Sequence, residues 1–475
     1  METFMTPDLP ELTPLDSAFY PALDSMDLAT RHILESYAEM RTGRVAPEWP
    51  LAQTEETIGE LEFKNGLGLE GAVSEAHQLM EKGDLLSASA RCFGYFNPTS
   101  AWPGVMGDLL VAARNPQICL TSHAPASTTM ERSVSKFVLA RLGLENGTAH
   151  FTSGGSEANE TAVLVALCRA RPDYLEKGVF AFGGQPTLYV SAESHMAWVK
   201  IAKATGIGSR AVRLVQTTGD GCMDVVALQS AIKADRKVGM IPFMIAATCG
   251  TTSAGMIDPL ASCAKIAGLE DVHFHIDAAW AGALIFDEKR KTLLDGIETA
   301  DSVTIDAHKW LAVPMGAGMI ALREKHYAAN VFSVQTSYMP EGDGEDMYIT
   351  TNQWSRRFIG IRLWMMLRTL GLNGYQTMFD RHFALAAYLR EQLEHHGWVI
   401  RNESKLPVIV FDDWLNGVDS QKIADQVENQ GRAWLGRVNF EGQSVLRACT
   451  TSFLTEYDDI DILISELNTA RKAIS

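Results

Sequence analysis

Lys309 stands in Thr304-Ile305-Asp306-Ala307-His308-Lys309-Trp310, directly after an apolar run that reads as a β-strand. A strand end is where open α/β sheets place ligands. A lysine there forms an imine with an aldehyde cofactor when its amine is neutral, and burial or neighbouring cations favour the neutral amine. Upstream, His273-Phe274-His275-Ile276-Asp277-Ala278-Ala279-Trp280 closes a second apolar run on Asp277. A carboxylate aimed at a pyridine nitrogen keeps that nitrogen protonated and makes the ring an electron sink. At about 4 Å and an effective dielectric of about 20, such a pair gains about 4 kcal/mol before desolvation. Ala278 and Ala279 leave room for a flat ring beside it.

Three more signals accompany these two. Phe151-Thr152-Ser153-Gly154-Gly155-Ser156-Glu157-Ala158-Asn159 runs from small residues straight into a helical stretch. Free backbone N–H groups at a helix start suit a phosphate. No lysine follows, so this is not a Walker loop. His195 follows a predicted strand and offers a ring for stacking, and Thr252, in Gly250-Thr251-Thr252, offers a hydroxyl to a ring substituent. Each signal has an ordinary alternative: a surface lysine, a strand-end aspartate, a helix cap, a structural histidine, a turn threonine. Their order at the ends of successive strands of one domain points to a single cofactor site.

The elements that must position these residues are legible as apolar runs. Strands are predicted at 187–192, 211–214, 243–248, 274–277, 302–305 and 319–321, several of them apolar on both faces. Alternation with longer helical stretches between about 75 and 328 predicts a doubly wound α/β domain. A helix is predicted over 26–40, ended by Gly43 and Pro47, and residues before about 25 read as extended. Residues 330–352 lack any period and read as a long mobile loop. A helical stretch over 357–396, broken at Gly371 and Gly374, leads to strands at 408–411 and 444–448 and helices at 420–429 and 458–470, a small α+β unit.

Composition narrows the class. Of 475 residues, 46% are hydrophobic and 21% charged, ordinary values for a globular chain long enough to bury a sizeable core. A formal net charge of −17, spread along the chain, argues against a nucleic-acid or anionic-membrane surface. Seven widely spaced cysteines without a C-x-x-C pair argue against a disulfide framework or a zinc ribbon. The acidic, proline-rich start has neither the basic nor the apolar region of a signal peptide, and no apolar run is long enough to span a bilayer, which predicts a cytoplasmic protein.

On the Asp277-Ala278-Ala279 and His308-Lys309-Trp310 motifs, 32 positions apart from Asp to Lys, the chain resembles the group II pyridoxal-phosphate-dependent decarboxylases, the family of aromatic-L-amino-acid and glutamate decarboxylases. The resemblance runs from the helix near Met26 to the Val445-Leu446-Arg447 strand. It implies an α/β fold of the pyridoxal-phosphate-dependent transferase type (fold-type I): a large, doubly wound, mainly parallel sheet domain over 75–370 and a small C-terminal α+β domain over 371–475. Residues 1–74 would be a helical segment packing across a homodimer whose active sites lie at the interface. The resemblance assigns Lys309 to the imine with pyridoxal 5'-phosphate, Asp277 to its ring nitrogen and His195 to stacking. Gly155 and Ser156 would hold the phosphate, with Asp306 and His308 nearby. Thr252 and Ala279 would line the ring, and Thr99 would face the substrate. The loop tyrosine that returns a proton to the substrate's Cα in this family has no gapless counterpart here; Tyr348, one position off, or in second place Tyr338, would take its role.

The implied reaction is decarboxylation of an L-amino acid to its amine, an aromatic substrate favoured. An acidic or other polar substrate, or oxidative deamination to an aldehyde on the same fold, is the alternative. Three positions depart from the family pattern. Asp306 stands where many relatives have asparagine, so it must turn from the phosphate or pair with a cation. Asn97 precedes Pro98 where aromatic-specific animal relatives carry an aromatic, and Cys119 falls near another such aromatic.

Overall fold

Strands that are apolar on both faces require helices on both faces, and the chain supplies them. The computed structural model describes residues 23–334, 346–413 and 417–474, so the extended start predicted before residue 25 lies almost wholly outside them. Helices α1 Leu23–Thr42, α2 Leu51–Gly59, α3 Gly68–Gly83, α4 Trp102–Arg114 and α5 Pro125–Leu142 precede strand β1, Thr148–Thr152. The chain continues through α6 Gly155–Ala170, β2 Pro186–Ser191, α7 Ala197–Ala204, β3 Val212–Val215, α8 Val225–Lys237, β4 Ile241–Thr248 and α9 Leu260–Glu270. β5 His273–Asp277, β6 Ser302–Asp306, β7 Gly318–Leu322 and α10 His326–Phe332 complete this half. The remainder is α11 Ile361–His395, β8 Val399–Ile400, β9 Val408–Asp412, α12 Ser420–Gln430, β10 Gly436–Phe440, β11 Gln443–Cys449 and α13 Tyr457–Ile474.

The large sheet runs β1-β7-β6-β5-β4-β2-β3, parallel throughout except for β7, which is antiparallel to both neighbours. All six predicted strands are present, and the α/β, fold-type I architecture is the observed one. β1 escaped the sequence reading because Thr148–Thr152 is five residues of mixed polarity whose partner β7 lies about 170 positions downstream. Alternation along each strand builds two cores. Ile245, Ala247, Phe274, Ile276, Val303 and Ile305 pack with α5, α8, α9 and the first part of α11. Leu188, Val190, Met244, Ala246 and Ile320 pack on the other face with α6, α7 and α10. The same alternation turns His273, His275 and Asp277 of β5, and Ser302, Thr304 and Asp306 of β6, toward α6: two polar stripes in an apolar layer, all buried.

A second sheet, β10-β11-β9-β8, is antiparallel throughout and covers its own core with α11, α12 and α13. α11 starts four residues later than predicted and breaks at Gly371 alone, where φ is 60° and ψ −171°; Gly374 is helical. That backbone conformation is nearly exclusive to glycine, which explains why one glycine breaks the helix and the other does not. The segment predicted as one long loop is ordered at both ends: Asn330 belongs to α10, and Met347–Thr350 form a helical turn pinned by Asp346, whose Oδ1 accepts from Thr121 N at 2.7 Å and Thr121 Oγ1 at 2.8 Å. Residues 335–345, which include Tyr338, lie outside the described part.

All seven cysteines are free. No described helix is long and apolar enough to cross a membrane. α1 fulfils the helix predicted over 26–40 and is tied down by polar contacts: Tyr37 Oη donates to Ser100 O at 2.8 Å and Ala90 N to Met40 O at 2.8 Å. α2 and α3 bury none of their residues completely, and Leu34, Leu51, Phe63 and Leu67 remain exposed.

Burial makes this fold sensitive to acid. It pushes His150 down to about 3, His382 to about 3 and His273 to about 4. The unfolded chain, with histidine near 6.5, binds more protons than the folded one once the pH falls below that value. Stability conferred by neutral, buried histidines is therefore present above about 6.5 and lost progressively as pH drops toward 4. Asp258, which burial pushes up to about 6, opposes the trend over the upper part of this window. Moving from pH 7.5 to 5.5 should cost about 1 kcal/mol per histidine, a net loss of about 2–3 kcal/mol after the Asp258 contribution. Urea midpoints at the two pH values measure it; an unchanged midpoint refutes the assignment of neutral buried imidazoles.

Candidate active site

The parallel strands β2, β4, β5 and β6 end on the same side of the sheet, and there the sequence-predicted residues meet. One cleft of about 540 Å³ is lined by Gly155 and Ser156 at the start of α6, His195 after β2, Thr252 after β4, Asp277 and Ala279 at the end of β5, and Asp306, His308 and Lys309 at the end of β6. The geometry follows from strand periodicity: the last residue of β5 and the last of β6 both turn to the face of the sheet that α6 covers.

Asp277 lies at the bottom, 6% exposed. Its Oδ2 accepts from Asn159 Nδ2 at 2.9 Å and its Oδ1 from Ala279 N at 3.1 Å. A buried carboxylate with two N–H donors has its outward edge left for a further cationic donor. Lys309 Nζ is 3.0 Å from Asp306 Oδ2, so of the two expectations for Asp306 the structure realises pairing with a cation. Asp306 Oδ1 is buried without a partner. The Asp306 carboxylate also packs on the start of α6. A Cβ on Gly155 would lie 2.8 Å from Asp306 Oδ2, so any larger residue there must displace that carboxylate.

Two histidines carry their protons on Nε2. His195 Nδ1 accepts from Ala197 N at 3.1 Å, and His308 Nδ1 accepts from Ala317 N at 3.2 Å. A ring nitrogen that accepts from a backbone amide is unprotonated, which fixes the neutral tautomer. Burial lowers both rings below the usual histidine range, with Asp277 partly countering it at His195 and Asp306 at His308. His308 Nε2 lies 3.8 Å from Asp306 Oδ2.

The loop after Lys309 is held from outside. Arg362 Nη1 donates to the carbonyls of Met315 at 2.6 Å and Gly316 at 3.0 Å, while its Nε pairs with Asp108 at 2.8 Å. Behind Lys309, Trp310 is fully buried, stacks on Trp280 with centroids 5.3 Å apart and donates its Nε1–H to His382 Nδ1 at 2.9 Å. Phe96 packs on Trp280 at 4.3 Å. These rings make the strand end rigid.

Two predicted residues are not brought to the cleft. Thr99 is buried and donates its hydroxyl to Ala88 O. Tyr348 packs its ring against Trp354, with centroids 5.2 Å apart, and its N–H donates to Cys119 O at 3.4 Å. Sequence reasoning left four cleft residues without a role. Asn159, one turn into α6, reaches Asp277. Asn97 lines the cleft with Nδ2 directed at His308 O, 3.3 Å away. Tyr95 stacks on Trp434 at 4.8 Å. Arg447 of β11 donates to the carbonyls of Thr252 and Gly94 and lies over the Phe96 ring, 4.7 Å from its centroid. Two had a signal in the sequence: Asn159 its position on the first turns of the helix that the small residues open, and Asn97 its departure from the family pattern before Pro98.

Comparison with known proteins accounts for this constellation. Residues 66–413 match the family model of the pyridoxal-dependent decarboxylase conserved domain. The chain is 28% identical over 385 residues to mouse acidic amino acid decarboxylase GADL1, covering 76% of this chain and 70% of that protein. It is 29% identical over 398 residues to tryptophan decarboxylase 2 of Oryza sativa subsp. japonica, covering 78% and 79%. The crystal structure of Oryza sativa TDC with PLP and tryptamine superposes with a TM-score of 0.87 at 22% identity, covering 96% of this chain and all of that one. The chain therefore belongs to the pyridoxal-dependent decarboxylase family and is a pyridoxal-phosphate-dependent amino-acid decarboxylase.

Proposed function

We propose that this enzyme converts an aromatic L-amino acid to its amine and carbon dioxide, with Lys309 as the residue that carries the cofactor. The observation behind this reading is the convergence of Lys309 Nζ, the Asp277 carboxylate and the His195 ring on one cleft floored by the start of α6. These residues fit pyridoxal phosphate. The first-turn N–H groups of Gly155 and Ser156 precede the first bonds of α6, from Glu157 N and Ala158 N to Gly154 O, and are free to meet a phosphate. His308 Nε2–H is a further donor on that side. His195, exposed in the cleft, presents a ring face to a cofactor ring, and Asp277 presents an acceptor to its nitrogen.

Bound there, pyridoxal phosphate supplies an aldehyde for the substrate's amine and a ring that accepts the electron pair left when the carboxylate departs. The protein's part is electrostatic and positional. Asp277, fixed by Asn159 and Ala279, stabilises positive charge at the ring nitrogen, where electron acceptance depends on it. Lys309 Nζ, held by Asp306 at 3.0 Å, would hold the cofactor through its aldehyde, and its flexible stem gives it the reach to do so. Lys309 Nζ, paired with Asp306, would be the group that holds and returns the proton required at the substrate's Cα, with the His195 ring beside it. The apolar floor of Trp280 and Phe96 favours loss of a charged carboxylate as a neutral molecule.

The side-chain preference rests on the walls. Tyr95, 44% exposed, and Phe96 offer aromatic surface. Arg447 is engaged with two backbone carbonyls, so a second substrate carboxylate would have to compete for it. That weighs against an acidic substrate. We further infer a homodimer, because α2 and the segment that joins it to α3 leave Leu51, Phe63 and Leu67 in solvent.

Four outcomes are expected. Borohydride reduction of the holoenzyme should fix the cofactor to the peptide containing Lys309, and Lys309→Ala should lose both the link and at least about a thousandfold in rate, ~4 kcal/mol in the barrier. Carbon dioxide release across the common L-amino acids should be fastest with aromatic ones and occur without oxygen uptake. A glutamate or aspartate preference sinks the aromatic reading, and peroxide formation sinks simple decarboxylation. Gly155→Ala should push the new methyl into Asp306, costing about 1–3 kcal/mol locally, and weaken pyridoxal phosphate binding at least about tenfold with circular dichroism unchanged; fluorescence titration checks this. Light scattering should give twice the chain mass, and an active monomer refutes the dimer.

A further inference from the structure

Behind Asp277 lies a file of polar side chains that the chemistry at the cleft does not use. Asn159 Oδ1 is 3.1 Å from His275 Nε2, His275 Nδ1 is 2.8 Å from Ser302 Oγ, and Ser302 Oγ is 2.8 Å from His273 Nε2. All four residues are buried between the sheet and α6. Beyond them, His273 Nδ1 has no hydrogen-bond partner and lies 4.0 Å from Asp301 Oδ2, which pairs with Arg169 at 2.7 Å.

We infer that Asn159, His275, Ser302 and His273 form a one-directional hydrogen-bond chain whose function is to position Asp277 for the cofactor's ring nitrogen. The inference rests on the reading of Asp277 given above. The direction follows from donor and acceptor inventory. An Asp277 carboxylate only accepts, so Asn159 must turn its NH2 to Asp277 and its oxygen to His275. An amide oxygen only accepts, so His275 carries its proton on Nε2 and leaves Nδ1 bare. Ser302 spends its single hydroxyl proton on that Nδ1. His273 must then donate from Nε2, which leaves its Nδ1 bare, as the lack of a partner there agrees.

Burial drives both imidazoles toward the neutral form this order requires: His273 falls to about 4 and His275 well below the usual range. Each ring is fixed by a neighbour on a different element, so β5, β6 and α6 together set the angle of one carboxylate. Trp198 of α7 closes the side of the file, edge-on to His275 at 5.5 Å. The four residues touch neither ring nor substrate except through Asp277 and the cleft edge of Asn159. They are positioning residues.

The test uses full-length holoenzyme labelled with 15N-histidine, read by magic-angle-spinning NMR and assigned through His273→Gln and His275→Gln. Both imidazoles should be neutral with the proton on Nε2 at pH 7.5. A proton on Nδ1 of either ring, or a charged ring, overturns the proposal. Ser302→Ala and Asn159→Leu should each lower kcat about tenfold with KM little changed, and raise the pyridoxal phosphate dissociation constant by a similar factor. In Ser302→Ala the fixed tautomer of His273 should also be lost, while Asn159 keeps the His275 proton on Nε2. Correct tautomers in wild type with kcat and cofactor affinity within twofold in both variants would show a packing role only and sink the idea. If Asp277→Asn itself leaves cofactor affinity and rate unchanged, the underlying reading of Asp277 has failed, whatever the tautomers show.

Discussion

A single buried carboxylate constrains the rest of this molecule. Asp277 sits at the end of a strand in the middle of a seven-stranded sheet, where an unpaired charge would be expensive. It is tolerated because two N–H donors are aimed at it, one from α6 and one from its own strand's exit turn. The donor on α6 is fixed only if that helix lies flat across β5 and β6. That placement also brings the helix's first turn beside Asp306, so the proposed acceptor for a ring nitrogen and the proposed cradle for a phosphate are set by one packing event.

The lysine is governed by a different balance. Its amine must be free to react, yet a lone ammonium in a partly buried cleft needs a counter-charge. Asp306 supplies it from three positions earlier on the same strand exit, at 3.0 Å. The departure from asparagine at this position thus has a local partner. The clamp of Arg362 on the loop after Lys309 and the stacked Trp280 and Trp310 hold that pair in place without touching the reacting groups. Within one chain Tyr348 lies outside the lining of the cleft for an equally local reason: the turn that carries it is fastened to Thr121 through Asp346.

Much of this was legible in the linear chain. Apolar runs that mark six strands, several of them apolar on both faces, glycine and small residues opening α6, and charged residues closing successive strands each have local causes, and local causes survive in sequence. The positions of Lys309, Asp277, His195 and Thr252 followed from the rule that ligands meet parallel strands at their C-terminal ends, and that of Gly155 from small residues that open a helix. Family membership was likewise readable, because the Asp277 and Lys309 motifs sit on adjacent parallel strands whose spacing one crossover sets.

What tertiary structure alone decided are relations between residues far apart in the chain. β1 exists as a strand because β7 offers it an edge, and nothing in five mixed residues announces that partner. Arg447 enters the cleft because β11 packs its own end against the loop after β4, and Asn97 because the segment before α4 crosses over His308. The file from His273 to Asn159 draws on residues up to 143 positions apart, Ser302 and Asn159 being its extremes. The sequence alone determined which side chains alternate onto one face of β5, since a strand's period is two. It could not determine that a serine from β6 and an asparagine from α6 would complete the chain to Asp277, because hydrogen-bond direction is a property of three-dimensional neighbours and not of spacing.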